Sequence, residues 1–202
     1  FDTSYYSSLP QSRYMYALPK TYFENDGVRR YGFHGTSHKY VVLEVCKKLN
    51  KTVEDLKIIT CHLGNGSSIT ATENGKAVAT TMGFAPQEGI IMGTRCGDID
   101  PSIIPYLMKK YGYSPDEMAN IINKKSGFLG ITGLSNDARN IEDEALNGNK
   151  DCILALKMVT DSVKKYIGAF IAYMNGVDAI VFTAGIGENS STIRKMVLEK
   201  LA

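Results

Sequence analysis

Twice in this sequence an apolar run ends directly in a loop of glycines and small polar residues. Ile58 to Thr60 feeds into His62, Leu63, Gly64, Asn65, Gly66, Ser67 and Ser68; Ile180 to Thr183 feeds into Ala184, Gly185, Ile186, Gly187, Glu188 and Asn189. Apolar runs of this length suit buried strands. Glycines at a strand end let backbone N–H groups approach an anion closely, and Ser and Asn add neutral donors, so such loops suit phosphates and sugars. For either loop alone, the alternative is that its glycines only make a tight turn. Two such loops in one chain favour the first reading. Neither fits the P-loop or the dinucleotide-binding glycine pattern, because Ile69 and Ser190 stand where the last required glycine would be. A Walker ATPase and a Rossmann enzyme are therefore disfavoured.

The surrounding pattern sets the fold class. Residues 1–33 are rich in Tyr, Ser and Pro and read as an irregular covering segment with at most a short helix. Residues 35–50 read as a helix with Thr36 or Ser37 as N-cap and Val41, Leu43, Val45 and Leu49 as apolar positions. The two runs flanking Asn74-Gly75 read as a β-hairpin, since Asn-Gly accepts the positive φ angles of a type I′ turn. Asp100-Pro101 opens a helix, and Ser114-Pro115-Asp116-Glu117 opens another with a capping box. A short helix closed by Gly148 follows, then a long one over 150–175 with apolar Ile153, Leu156, Val159, Val163, Ile167, Phe170, Ile171 and Met174. The apolar run before Gly185 reads as a buried strand, followed by a glycine loop and a helix. Strands separated by helices, with one hairpin, give a mixed α/β sheet covered by helices.

Composition excludes several classes of function. The chain has 202 residues, 44% of them hydrophobic, enough to bury one sizeable core. Lys plus Arg is 23 against 21 for Asp plus Glu, a net charge of +2, which gives no general attraction to nucleic acid or anionic lipid. Neither nucleic acid nor a membrane is expected as a partner. Cys46, Cys61, Cys96 and Cys152 are scattered without a CxxC pair, a pattern that fits free thiols in a reducing cytosol. No apolar run is long enough to span a bilayer and no leader pattern is present, so a cytoplasmic location is expected. The start without Met and the stop inside a helical pattern lead us to expect a piece of a longer protein.

Three histidines and one arginine are the remaining candidates for chemistry. Arg95 lies between Gly93 and Gly97 just before a helix start, where a mobile guanidinium could meet an anion; the alternative is a salt bridge to Asp98 or Asp100. His34 and His38 have the i, i+4 spacing of two metal ligands. The cap places His34 ahead of the helix, so the rings need not converge, and no third ligand has suitable spacing. A zinc site is disfavoured. His34 is read as a donor in a loop of small residues, and His38 as solvated or packed on its helix.

Six stretches together carry a signature: FDTSYYSSLP, RRYGFHGTSHKYV, TCHLGNGSSI, TMGFAPQEGIIMGTRCGDIDPSIIPYLM, NKKSGFLGITGLSND and VFTAGIGENSSTIR. They resemble the acetate kinase family across all 202 residues; single motifs are shared with propionate and butyrate kinases. The resemblance implies a ribonuclease-H-like α/β domain of the actin-like ATPase superfamily. It also implies that this chain is the second, C-terminal domain for nucleotide binding and dimerisation, with the first domain and the closing tail lying outside it.

The resemblance also implies the activity, reversible phosphoryl transfer from ATP to acetate, with magnesium (manganese as an alternative), ATP or ADP as co-substrate, and a homodimer. Asp2 resembles the active-site aspartate, expected to organise the magnesium and its water rather than to remove a proton. His34 and Arg95 resemble the pair that stabilises the transferring phosphoryl group. His62, Leu63, Gly64, Asn65 and Gly66 resemble the phosphate loop, and Gly185, Ile186, Gly187, Glu188 and Asn189 the adenosine loop. Phe33 and Pro86 correspond to part of the acetate methyl pocket. Asp137, Ala138 and Arg139 fall at a third nucleotide-binding stretch; the family often has an aromatic where this chain has Ala138, which leaves base stacking there open.

Overall fold

The computed structural model describes residues 2–199 and 201; Phe1, Lys200 and Ala202, which belong to the terminal stretches quoted above, lie outside the described residues. The chain opens with a 3₁₀ turn at Ser4–Ser8, then α1 (Gln11–Tyr14), α2 (Lys20–Asp26) and α3 (Gly35–Leu49). Next come β1 (Lys57–Leu63), β2 (Ser67–Glu73) and β3 (Lys76–Thr80), followed by α4 (Ile103–Tyr111), α5 (Pro115–Lys124), α6 (Gly127–Thr132), α7 (Ala138–Leu146) and α8 (Lys150–Met174). The chain closes with β4 (Ala179–Thr183), α9 (Ala184–Asn189) and α10 (Ser191–Leu198).

The sheet is mixed, in the order β3-β2-β1-β4, with β1 antiparallel to β2 and parallel to β4. Alternation along β1 decides what each face does, because successive side chains point to opposite sides. Ile59, Cys61 and Leu63 join Ile69 and Ala71 of β2 in the main core, against Val159, Val163, Ile167 and Phe170 of α8. Full burial of each such Ile or Val side chain contributes about 1.5–3 kcal/mol. Ile58, Thr60 and His62 point to the other side, where Ile58 packs with Val42 and Cys46 of α3. That second face carries the histidines.

Several expectations hold. Asn74 and Gly75 have φ of 52° and 72°, as the hairpin turn requires, and Ser114 and Glu117 form the reciprocal capping box of α5. All four cysteines are free thiols.

Others need correction. Residues 1–33 contain a 3₁₀ turn and two short helices rather than at most one. α3 begins at Gly35 with His34 at its N-cap, and no side chain caps it, so neither Thr36 nor Ser37 has that role. Its buried positions are Gly35, His38, Val42 and Cys46, while Leu43 and Leu49 are exposed; the helix turns this stripe, in which Val42 and Cys46 pack with Ile58, toward β1. α4 runs from Ile103, with Ser102 at its N-cap position, two residues later than expected, while Asp100 still accepts from the N–H and the hydroxyl of Ser102 as a capping side chain does. Ile153 on α8 is exposed. β4 is half-buried throughout because it lies at the end of the strand order. The glycine run after β4 is itself a helix, α9, entered through Ala184 at φ 65°.

Candidate active site

His34 occupies a backbone conformation uncommon for a residue with a side chain, φ 58° and ψ 22°. Two contacts from the chain start hold it there. The carboxylate of Asp2 accepts the His34 N–H at 2.8 Å, and the Asp2 carbonyl accepts the Gly35 N–H at 3.0 Å. The approach is so close that a Cβ on Gly35 would lie 2.2 Å from the Asp2 carbonyl oxygen. Only glycine fits.

The imidazole of His34 turns toward the sheet. It stacks on His62 with ring centroids 4.0 Å apart and shares a 2.9 Å hydrogen bond with the Ser68 hydroxyl through Nδ1. His38, fully buried, shares 2.8 Å with the same hydroxyl through Nε2 and 2.6 Å with Thr60 through Nδ1. His62 Nδ1 pairs with the Ser37 hydroxyl at 2.9 Å. The expectation that the rings of His34 and His38 need not converge is thus corrected, since both meet at Ser68. Four of the six ring nitrogens are engaged with hydroxyls, and among the described residues no group of three His, Cys, Asp or Glu side chains is placed to hold a metal ion. Burial, helped by His62 and Arg95 and opposed by Asp2, pushes His34 down to about 4. Burial likewise pulls His38 well below the usual imidazole range, and lowers His62 against the carboxylates of Asp2 and Glu188.

Arg95 reaches the same place from the other side. A Cβ built on Gly66 would lie 3.4 Å from Arg95 Nη1 and 3.6 Å from His34 Nε2, so a glycine at the loop tip keeps open the space these two groups share. Arg95 Nη1 donates to the Pro86 carbonyl at 2.8 Å, and among the described residues it forms no ion pair with Asp98 or Asp100. Asp98 is instead engaged by the Gly89 N–H, Tyr166 and Lys165. The loop carrying Pro86 is clamped by Arg30, which donates to the carbonyls of Thr80, Thr81 and Met82 and pairs with Glu88, itself bonded to Tyr16.

Beside Gly66 lies a cavity of about 720 Å³. Gly64 and Asn65 form one wall, Asn136 to Arg139 with Glu142 a second, and Gly185, Ile186, Asn189 and Ser190 a third. The structure therefore brings three sequence-separated stretches to one cleft. A 3.1 Å bond from Asn136 Nδ2 to Asn65 Oδ1 ties two walls together, and Gly93 admits it, because a Cβ there would lie 2.0 Å from that oxygen. Asp137 caps α7 and pairs with Arg139 at 2.6 Å.

Other residues singled out from the sequence sit elsewhere. The Leu63 side chain lies in the core, so only its backbone could face a ligand. Gly187 is buried against β4, and Glu188 accepts from the Thr183 hydroxyl. Phe33 is half-buried, and its carbonyl is bonded by the Tyr6 hydroxyl. Ser68, Thr60, Asn136, Glu142 and Ser190 were not singled out for these contacts. The Asn next to Asp137 was the one usable signal, since Ser and Thr in a strand carry no mark of their partners.

Comparison with known proteins shows the family. All of residues 1–202 match the acetokinase family. The chain belongs to that family. It is 57% identical over 201 residues to an acetate kinase of Methanosarcina thermophila, covering 100% of this chain and 49% of the relative, and 53% identical to one of Halothermothrix orenii, covering 100% and 50%. The chain spans about half the length of the curated relatives it matches. The crystal structure of a Porphyromonas gingivalis acetate kinase superposes with a TM-score of 0.98 at 47% identity, covering 100% of this chain and 50% of that one. A propionate kinase from Francisella tularensis gives 0.96 at 43%, covering 100% and 52%. These neighbours have the actin-like ATPase fold, and this acetokinase chain shares it.

Proposed function

We propose that this acetokinase chain forms the nucleotide-side half of an acetate kinase, in which a phosphoryl group passes reversibly between ATP and acetate. The observation that carries the reading is the shared approach of Arg95 and His34 to the open face of Gly66, beside the three-walled cleft. Phosphoryl transfer asks a protein mainly to position groups and to neutralise charge on the equatorial oxygens. The Arg95 guanidinium brings a positive charge and a planar fork of donors and is held in place by the Pro86 carbonyl. His34, pinned by Asp2 and backed by His62, presents Nε2 to the same space. The backbone of Gly64 to Gly66 borders the phosphates, and the walls from Asn136 to Arg139 and from Gly185 to Asn189 take the nucleoside. Acetate is already ionised near neutral pH, since carboxyl groups titrate near 4, so no strong base is needed and none is assigned.

A magnesium ion, with manganese as an alternative, fits as an ion carried by the nucleotide phosphates. No closed cage exists among the described residues, and magnesium keeps several waters in such sites. The exposed Asp2 would meet its water shell; the ion supplies charge neutralisation on the phosphate oxygens. Phe33 and Pro86 are assigned to the wall near the acetate methyl. We further propose a homodimer, a cytoplasmic location and a second-domain role for this chain, which alone would bind nucleotide weakly and turn over little. The propionate kinase neighbour supports propionate as the second candidate acceptor.

The test is ATP-dependent acyl-hydroxamate formation by the full-length protein with acetate, propionate and butyrate at equal concentrations. Preference for acetate supports the reading. Preference for propionate moves the assignment to the second acceptor, and no product with any of the three removes the kinase assignment and leaves a nucleotide-binding or dimerisation module.

A further inference from the structure

The hydrogen bonds behind His34 form an unbranched line: His34 Nδ1 to Ser68 Oγ at 2.9 Å, Ser68 Oγ to His38 Nε2 at 2.8 Å, and His38 Nδ1 to Thr60 Oγ1 at 2.6 Å. Each of these hydroxyls carries one proton, and each neutral imidazole carries one N–H. Both rings are held neutral by burial near pH 7. A third arrangement, in which both rings donate to Ser68, would strand the proton of that fully buried hydroxyl, whose hydrogen bonds are all in the line. With every link made and that proton used, the line can run in only two senses. In one, the Thr60 hydroxyl donates to the Thr70 carbonyl, His38 donates from Nδ1, Ser68 donates to His38, and His34 donates from Nδ1 and leaves Nε2 bare. In the other, Thr60 donates to His38 Nδ1, His38 donates from Nε2 to Ser68, Ser68 donates to His34 Nδ1, and His34 carries its proton on Nε2.

Two observations separate the senses. The first needs Thr60 to use the Thr70 carbonyl at 3.4 Å, longer than the roughly 2.5–3.0 Å usual for such a bond and correspondingly weak. The second gives the Thr60 proton the 2.6 Å partner and leaves only that weak contact unmade. The second also directs an N–H into the space beside Gly66 and Arg95, where an oxyanion would need a donor rather than a lone pair.

We propose that Ser68 and His38 are positioning residues that hold His34 as the Nε2–H tautomer, so that a neutral imidazole donates into the anion site beside Arg95. The functional part rests on the phosphoryl-transfer reading; the tautomer itself does not. His38 has no path to substrate, being fully buried, and acts only through Ser68. Thr60, at the far end, sets the sense of the line, and the ring of His62 holds the plane of His34.

The experiment is ¹⁵N NMR of the His34 side chain in the full-length protein near pH 7, selectively labelled and assigned with a His34→Gln variant. Kinetics of Ser68→Ala and His38→Gln follow. The proposal expects a protonated Nε2 and an unprotonated Nδ1 in the wild type. Ser68→Ala should lower kcat about tenfold, the worth of one hydrogen bond in the transition state, with the KM for ATP within about twofold. His38→Gln keeps a side-chain N–H for Ser68 and should retain more activity than Ser68→Ala. A wild-type His34 protonated on Nδ1 alone overturns the relay even if the protein is an active kinase. An Nε2–H tautomer in a protein without acyl-phosphate activity supports the relay while removing the phosphoryl-transfer reading. Because the wild-type spectrum decides the tautomer, a variant that fails to fold does not shelter the proposal.

Discussion

The rings of His34 and His62 lie face to face, 4.0 Å between centroids with 17° between planes, although 28 positions separate them in the sequence. His62 is the penultimate residue of β1 and His34 precedes a helix, so the stack joins the end of β1 to the start of α3 where the cleft begins. Replacing His62 with Ala should leave His34 free to tilt. We expect kcat to fall about tenfold while the unfolding midpoint moves little, because His62 is only partly buried. Unchanged kcat would show that Ser68 alone fixes the ring.

Gly66 is predicted to be intolerant of a side chain for function and tolerant for folding. A methyl there would meet Arg95 and His34 at ordinary contact distances, so it adds little strain. It would occupy the space assigned to the phosphoryl oxygens. Gly66→Ala should keep the wild-type melting temperature and lose most phosphoryl transfer; full activity would move the anion site elsewhere.

Gly35 should behave in the opposite way. A Cβ 2.2 Å from a backbone oxygen cannot be relieved by a side-chain rotation, so Gly35→Ala must push the Asp2 segment off the start of α3. A loss of about 1–3 kcal/mol in urea unfolding is expected, typical of overpacking, together with loss of the Asp2 contact to His34. Wild-type stability would contradict the close approach.

Stability should fall as pH is lowered from about 6.5 toward 4. His34, His38 and His62 have folded pKa values depressed below the unfolded value of 6.5, so the unfolded chain binds more protons in that window and acidification favours it. Above pH 6.5 both states are neutral at these rings and the term is flat. Asp100, Glu117 and Asp137 are also lowered, which confines their contributions to more acidic pH. Urea midpoints at pH 7 and pH 5 check this, and His38→Gln should flatten the slope; a midpoint rising toward pH 5 would contradict it.

Much of the frame was legible in the sequence. Asn74-Gly75, the Ser114 capping box and the apolar stripe of α8 are local signals, each readable from a single run of consecutive residues. The alternation of β1 was equally local, yet its consequence was not. That Thr60 and His62 share a face with Ser68, opposite His38, depends on the β1–β2 register, which pairs His62 with Ser68. The i, i+4 test on His34 and His38 considers one helix and misses a serine on a strand. α9 was hidden for a different reason: its two glycines argue against a helix on intrinsic preference, and packing of Gly187 against β4 outweighs that preference. The covering segment failed likewise, its 3₁₀ turn being held by the Tyr6 hydroxyl on Phe33 and Thr70 and α1 by Arg13 on the Val78 carbonyl.

The central claim is that Arg95, through its charge, and His34, through a donated N–H, together stabilise a phosphoryl group beside Gly66. Its most direct test is acyl-phosphate formation from ATP and acetate by the full-length protein, wild type against Arg95→Ala, with nucleotide affinity measured on both. The account predicts a loss of roughly a hundredfold to a thousandfold in kcat with ATP binding largely kept, because the nucleoside walls from Asn136 to Arg139 and from Gly185 to Asn189 are untouched. Equal turnover by the two proteins would contradict it.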